Sequence, residues 1–168
     1  MTKFDRHILV SRVVTGCIQS HILISQMKLP LLEVKCELIG ELIAEYKGKN
    51  TGTRVLADGK LETSSVGTGT LLGKEASLLN TAVATPMPNG VSMLEGNGII
   101  RTTDGESAMH KSNGIGWYTG KGLKLSLRGT VYFMTNSPSL ASLNKTVGIW
   151  ELEQDEQGEF SLRVWAWK

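Results

Sequence analysis

The sequence has only two cysteines, Cys17 and Cys36, in 168 residues. Their number and separation give no disulfide framework. The reading is two reduced thiols, which points to a cytoplasmic protein. Charge of one sign is also missing. The formal net charge is +2, too small to point to nucleic acid or an acidic membrane. The basic residues do not bunch along the chain. No apolar run approaches the ~20 residues of a membrane helix. The stretch after Lys3 and Arg6 is broken by Ser11, Arg12, Thr15, Gly16 and Gln19, which spoils the apolar centre a signal peptide needs. No partner of nucleic-acid or membrane type is therefore expected.

Chemical signatures are missing as well. No G-x-S-x-G turn surrounds a serine. The three histidines, His7, His21 and His110, are scattered without spaced carboxylates or thiols, so no metal site is expected. The G-x-G pairs are not followed by helices, which removes the dinucleotide fingerprint. No cofactor is expected.

What is present reads as a globular chain, 40% apolar and 20% charged, of a length that suits one domain. Its texture changes near residue 36. Residues 1–35 hold a single glycine, Gly16. There Val10, Val13, Val14, Cys17, Ile18 and His21 recur at helical spacing, yet many neighbours are β-branched. A short helix or a mobile tail fits this segment, and the first 26 residues are expected to be dispensable.

From Cys36 to Lys168 the pattern is strands and tight turns. Asp58-Gly59 and Asp104-Gly105 predict two-residue type I′ hairpins. Asn89-Gly90 after Pro86-Met87-Pro88, Thr119–Gly122 and Glu156–Gly158 mark further turns. Candidate strands lie near 36–47, 51–57, 60–71, 75–84, 91–103, 106–118, 123–135, 144–154 and 159–168. Leu123, Leu125, Leu127, Gly129, Val131 and Phe133 share a face, and so do Phe160, Leu162, Val164 and Ala166. The expected fold is all-β, an antiparallel meander barrel of about eight strands.

Glycines two apart are the most informative feature: Gly67 and Gly69, Gly96 and Gly98, Gly114 and Gly116. Each pair lies on one face. Glycine inside a strand needs a reason. Curvature for barrel closure is one, and room for a ligand is another.

Glu95-Gly96-Asn97-Gly98, Thr103–Glu106, Gly114–Gly116, Leu127–Gly129, Leu140–Asn144 and Trp165–Lys168 together resemble a family of uncharacterised small prokaryotic β-barrel proteins. More remotely, the glycine-rich meander resembles the allene oxide cyclase barrels among the calycin-like folds. That resemblance implies eight strands, an internal cavity and oligomerisation. It carries over no catalytic residue.

His110, on a face with Glu106, Ser112, Gly114 and Gly116, is the candidate for acid–base catalysis. Arg128, Tyr132, Glu95 and Glu151 are the candidate ligand-binding cluster, provided their faces point inward; the Leu123–Phe133 face competes for the core. Trp165 and Trp167 fall outside if Phe160 faces in, which would suit a subunit interface. The leading functional reading is a small intracellular barrel that binds an apolar or amphipathic small molecule without catalysis, as a homo-oligomer. The alternatives are a cofactor-free isomerase or cyclase and a structural oligomer with a filled barrel.

Overall fold

The computed structural model describes residues 39–168. There the chain forms a closed antiparallel barrel of eight strands, each paired with its sequence neighbours and the last with the first. The strands are β1 (Ile39–Val55), β2 (Leu61–Leu71), β3 (Lys74–Pro86), β4 (Val91–Thr102), β5 (Ser107–Tyr118), β6 (Leu125–Met134), β7 (Val147–Gln154) and β8 (Glu159–Trp167). The expectations about residues 1–35, and about His7, His21, Cys17 and Cys36, lie outside the described residues. Among the described residues no helix is long and apolar enough to cross a membrane.

The two strands expected near 36–47 and 51–57 are one, the 17-residue β1. Its pairing with β2 passes from Asn50↔Ser65 to Gly52↔Ser64. Thr51 is left over as a bulge, which bends a strand without ending it.

The Asp-Gly turns close hairpins, but not as type I′ loops. Leu56 N–H donates to the Lys60 carbonyl at 2.8 Å, and Gly59 N–H to the Leu56 carbonyl at 2.9 Å. Of the Asp58-Gly59 pair, only the glycine has positive φ, 81°. Thr102–Glu106 and Asp155–Glu159 repeat the pattern around Gly105 and Gly158. This is the three-residue loop that ends on a left-handed glycine. Two successive positive φ angles occur instead at Leu72 and Gly73, 49° and 77°, and at Asn89 and Gly90, 70° and 74°. Leucine is disfavoured in that region, but Leu72 packs against the core.

Alternation fixes the two faces of the wall. Leu127, Val131, Phe133, Trp150, Phe160, Leu162 and Val164 line the interior with Ala44, Tyr46, Leu78 and Ile100. Burial of this apolar face is the main stabilising term. The outer face carries charge. Register aligns Arg128 with Glu151, Glu151 with Arg163 and Arg163 with Glu45, so alternating charges cross β6, β7, β8 and β1.

The two barrel ends differ. At one, a 3-10 helix (Pro138–Lys145) between β6 and β7 sets Leu140 and Leu143 into the core, 0% and 1% exposed. Inward residues towards that end, Leu71, Ala76, Ile100, Ala108 and Phe133, are buried. At the other end Leu61, Ala84, Leu94, Leu125 and Leu127 are only partly buried. The barrel is stoppered at the helix end and looser at the end of the β1–β2, β3–β4 and β5–β6 turns.

A clasp holds the stopper. Lys74 Nζ donates to Asp104 Oδ2 at 2.8 Å, Glu106 Oε2 at 2.5 Å and Ser139 Oγ at 2.6 Å, and Ser139 donates to Glu106. Hydrogen bonds from Lys74, then from Thr102, hold the Asp104 carboxyl below the usual carboxylate range. Bonds from Lys74, then Ser139, do the same for Glu106. Lys74→Met should lower Tm modestly and speed hydrogen exchange at the Leu140 and Leu143 amides before the rest of the barrel. Uniform acceleration across all strands would show that Lys74 does not act through the helix.

Candidate functional site

The inner wall encloses a cavity of about 100 Å³. Its two sides differ in chemistry. The β6, β7 and β8 side is apolar, with Leu127, Val131, Phe133, Trp150, Leu162 and Val164. The opposite side presents Ser65 from β2, Asn80 from β3, and His110 and Ser112 from β5. β4, between β3 and β5, contributes no polar side chain to this side. Its Gly96 and Gly98 lie between Asn80, Ser112 and His110. Register places Asn80 opposite Gly98 and Gly98 opposite His110.

These glycines are why the polar side exists. A Cβ on Gly98 would strike His110 Nε2 and the Leu79 carbonyl, and one on Gly96 would strike Ser112 Oγ. The imidazole lies where a β4 side chain would otherwise stand. On the apolar side, Gly114 of β5 and Gly129 of β6 open the space taken by the Trp150 ring. The indole N–H donates to the Thr130 carbonyl at 2.9 Å, so this tryptophan is buried with its polar atom satisfied. The glycine ladder thus makes room for the protein's own large side chains.

Among the described residues two inward side chains lack hydrogen-bond partners. Tyr46 is 1% exposed and its hydroxyl has no hydrogen-bond partner. His110 is 8% exposed and neither ring nitrogen has one. Both line the cavity. Burial pushes the Tyr46 phenol well above its ordinary range. Burial also pulls the His110 imidazole down to about 4, so at neutral pH the ring is uncharged. No Asp, Glu, Lys or Arg lines the cavity among the described residues.

Of the residues singled out in the sequence, His110 and Ser112 face the cavity, and Gly114 and Gly116 share their face. Glu106 belongs to the clasp. Arg128, Tyr132, Glu95 and Glu151 do not face inward: the Leu123–Phe133 face took the core, which turned the alternate residues of β6 outward. Arg128 and Glu151 are brought together on the outer wall, 3.7 Å apart, but the shorter pair is Arg128 to Glu153 at 2.6 Å. Partial burial pushes the Glu153 carboxyl up, and hydrogen bonds from Arg128 and Ser126 outweigh it and hold it below the usual range. Tyr132 and Glu95 are exposed on the outer surface. Trp165 and Trp167 also alternate outward, opposite Phe160, Leu162 and Val164.

Tyr46, Ser65, Asn80 and Trp150 were not singled out as site residues. For Trp150 a signal existed in the glycines: Gly114, Gly129 and Trp150 stand directly opposite one another on three successive strands. It needs the register to be read. Tyr46 alternates with Ala44 and Gly48, which marks its face but not its missing partner.

Fold and cavity define a closed eight-stranded barrel with an amphipathic interior. No family model matches the chain, and no curated protein matches it. Solved structures do. A protein of unknown function from Clostridium acetobutylicum ATCC 824 superposes with a TM-score of 0.64 at 14% identity, over 76% of this chain and 98% of its own. A conserved protein of unknown function from Rhodopseudomonas palustris gives 0.64 at 13%, over 75% and 94%. A β-barrel-like protein from Acinetobacter baumannii AYE gives 0.60 at 14%, over 77% and 95%. At such identities the likeness is one of fold.

Proposed function

We propose that the barrel is a container for one small amphipathic molecule, which enters at the end away from the 3-10 helix. The observation that carries this is a cavity with an apolar side and a polar side, where, among the described residues, two buried polar groups lack partners. Native proteins leave few buried polar atoms unpaired, and each needs an explanation. An occupant supplies one. A barrel of eight strands is wide enough either to fill itself or to hold one small ligand, and here a cavity of about 100 Å³ remains after Ser112 and His110 have taken the space beside Gly96 and Gly98.

Benzene is a suitable first probe, because it needs an apolar void of ~150 Å³ and so enters this cavity of about 100 Å³ only if the partly buried residues at the looser end yield. Methyl resonances of Leu78, Ile100 and Val131 should shift saturably with benzene, and Leu127→Trp, at the looser end, should abolish the shifts. Native mass spectrometry of the full chain from its own host should reveal a copurified small molecule. A clean apo mass together with no saturable benzene shift would overturn the container.

A catalytic version, of the allene oxide cyclase-like isomerase kind, has one observation in its favour: the His110 imidazole stands in the cavity. Against it, among the described residues no carboxylate orients that ring, and an imidazole with a pKa near 4 is a weak base at neutral pH. Binding without catalysis is therefore the preferred reading. The homo-oligomer reading draws support from the outer wall. Leu79, Ile99, Met109 and Met134 stand opposite one another across β3, β4, β5 and β6 and are exposed. Such an apolar stripe is a common interface feature.

A further inference from the structure

We infer that two copies of this chain associate through the outer face of β4 and β5, about a two-fold axis that runs along the strands between them. This rests on the homo-oligomer reading, is independent of the container, and gives that reading a surface and a symmetry.

Register makes the face. On the outside of β4 and β5 four pairs follow one another: Ile99↔Met109, Asn97↔Lys111, Glu95↔Asn113 and Met93↔Ile115. All eight residues are exposed. An apolar pair stands at each end, and two polar pairs lie between. The Ile99↔Met109 pair continues to Leu79 on β3 and Met134 on β6. These six apolar residues are each 37% to 54% exposed. From Ile99 to Met93 the face runs about 20 Å, at a strand rise of ~3.3 Å per residue. On the surface of a monomer, apolar side chains are normally scattered singly. Three of the six are methionines, which are enriched at protein interfaces and fill irregular gaps well.

The other half of the wall is different. Across β6, β7, β8 and β1 charges pair within the chain, Arg128 with Glu153 and Arg163 with Glu45. Glu95 and Lys111, on the β4–β5 face, make no ion pair among the described residues.

Symmetry decides the partner. A two-fold along the strands lays β4 of one copy on β5 of the other, so it exchanges the members of every registered pair. Ile99 then meets Met109, Met93 meets Ile115 and Leu79 meets Met134 of the second copy. Asn97 meets Lys111 and Glu95 meets Asn113, each a donor against an acceptor. No like charges face each other, and Lys111 comes within one strand step of Glu95 of the second copy. Closed two-fold dimers need a patch that matches itself in this way. An unrelated partner requires no such match between β4 and β5.

The wall of a closed barrel is convex across its strands, so contact runs mainly along β4 and β5. That places the interface at the small end of the standard class, about 1,200 Å² in total. The dimer is expected to dissociate in the micromolar range.

The test is sedimentation of the full chain over micromolar concentrations. The wild type should sediment as a dimer that dissociates on dilution, and Met93 and Met109 should resist peroxide oxidation in the dimer only. Ile99→Lys should weaken association about a hundredfold or more, because a two-fold counts each substitution twice. Glu95→Lys and Lys111→Glu should each weaken it about tenfold, by setting like charges side by side. Mixed one to one, these two variants should associate with each other again, a rescue that only contact between two copies can produce. Should Ile99→Lys lose the β-sheet circular dichroism of the wild type, the charge pair alone decides. A dimer insensitive to all three substitutions would overturn this face and leave the homo-oligomer standing on another. A chain that stays monomeric would overturn both. Methionines protected in a monomeric chain would give the face to a different occupant and overturn the proposal.

Discussion

Gly129→Ala should destabilise the barrel severely, by about 3 kcal/mol or more, whereas Gly116→Ala should cost well under half of that. Both glycines sit inside adjacent strands and face the interior. What their missing Cβ atoms would meet is different. At Gly129 two of the three nearest atoms are main chain of β5, the Asn113 carbonyl oxygen and the Gly114 Cα, and the third belongs to the Trp150 ring. Main chain in a closed ladder cannot turn aside, and the indole is held by its bond to Thr130. At Gly116 every nearby atom is the methyl end or branch point of Leu127 or Leu94. These side chains lie at the looser end and can change rotamer. Urea midpoints of the two variants, measured side by side, decide the matter. Equal costs would mean that glycine acts here through strand propensity alone, and not through close approach.

That contrast explains how far the fold was legible in the sequence. Spacing by two put each glycine pair on one face, and turns rich in glycine divided the chain into long strands. Those two signals suffice for a meander barrel, and the barrel is what forms. They do not distinguish curvature from close approach, because the neighbour that fills each glycine's space comes from another strand. Gly114 and Gly129 lie 15 positions apart in the chain and Trp150 another 21 further on. Only the register, Gly114↔Gly129↔Trp150, unites them. Thr51 escaped for a related reason: a bulge within a polar stretch looks like the gap between two strands. The turn types escaped because Asp-Gly serves both a two-residue loop and a three-residue one, and the flanking register chooses.

The site was less legible than the fold. His110 was found as an unusual residue on a glycine face, and it lies in the cavity. Arg128, Tyr132, Glu95 and Glu151 form a candidate cluster only if their strand faces point inward, and register does align Arg128 with Glu151. Such pairing is equally natural on an outer wall, where alternating charges continue through Arg163 to Glu45. Alternation says which residues share a face. Which face is inside follows from volume, and Leu127, Val131 and Phe133 fill the interior where Arg128 and Tyr132 would have to be desolvated. What sets Tyr46 and His110 apart is that their polar atoms lack partners, and no single sequence displays an absence of that kind.

The His110 ring also sets an expected pH profile. Its folded pKa lies at about 4 against the ordinary 6.5, because burial disfavours the charged form. Between these values the unfolded chain binds a proton that the folded barrel refuses. Stability must therefore fall as pH drops from about 6.5 towards 4, and level off, for this group, below the folded value. The full difference corresponds to about 3 kcal/mol. Carboxylates shape a separate window. Those of Asp58, Asp104, Glu106 and Glu153 are held below their ordinary values, so their contribution is present above the unfolded pKa near 4 and is lost only as pH falls through the lower folded values. The limb from 6.5 to about 4.5 then belongs to His110. Urea midpoints across this range should slope in the wild type and lie nearly flat in His110→Gln, a neutral side chain that keeps hydrogen-bonding capacity. Subtracting the two profiles also removes any contribution from His7 and His21.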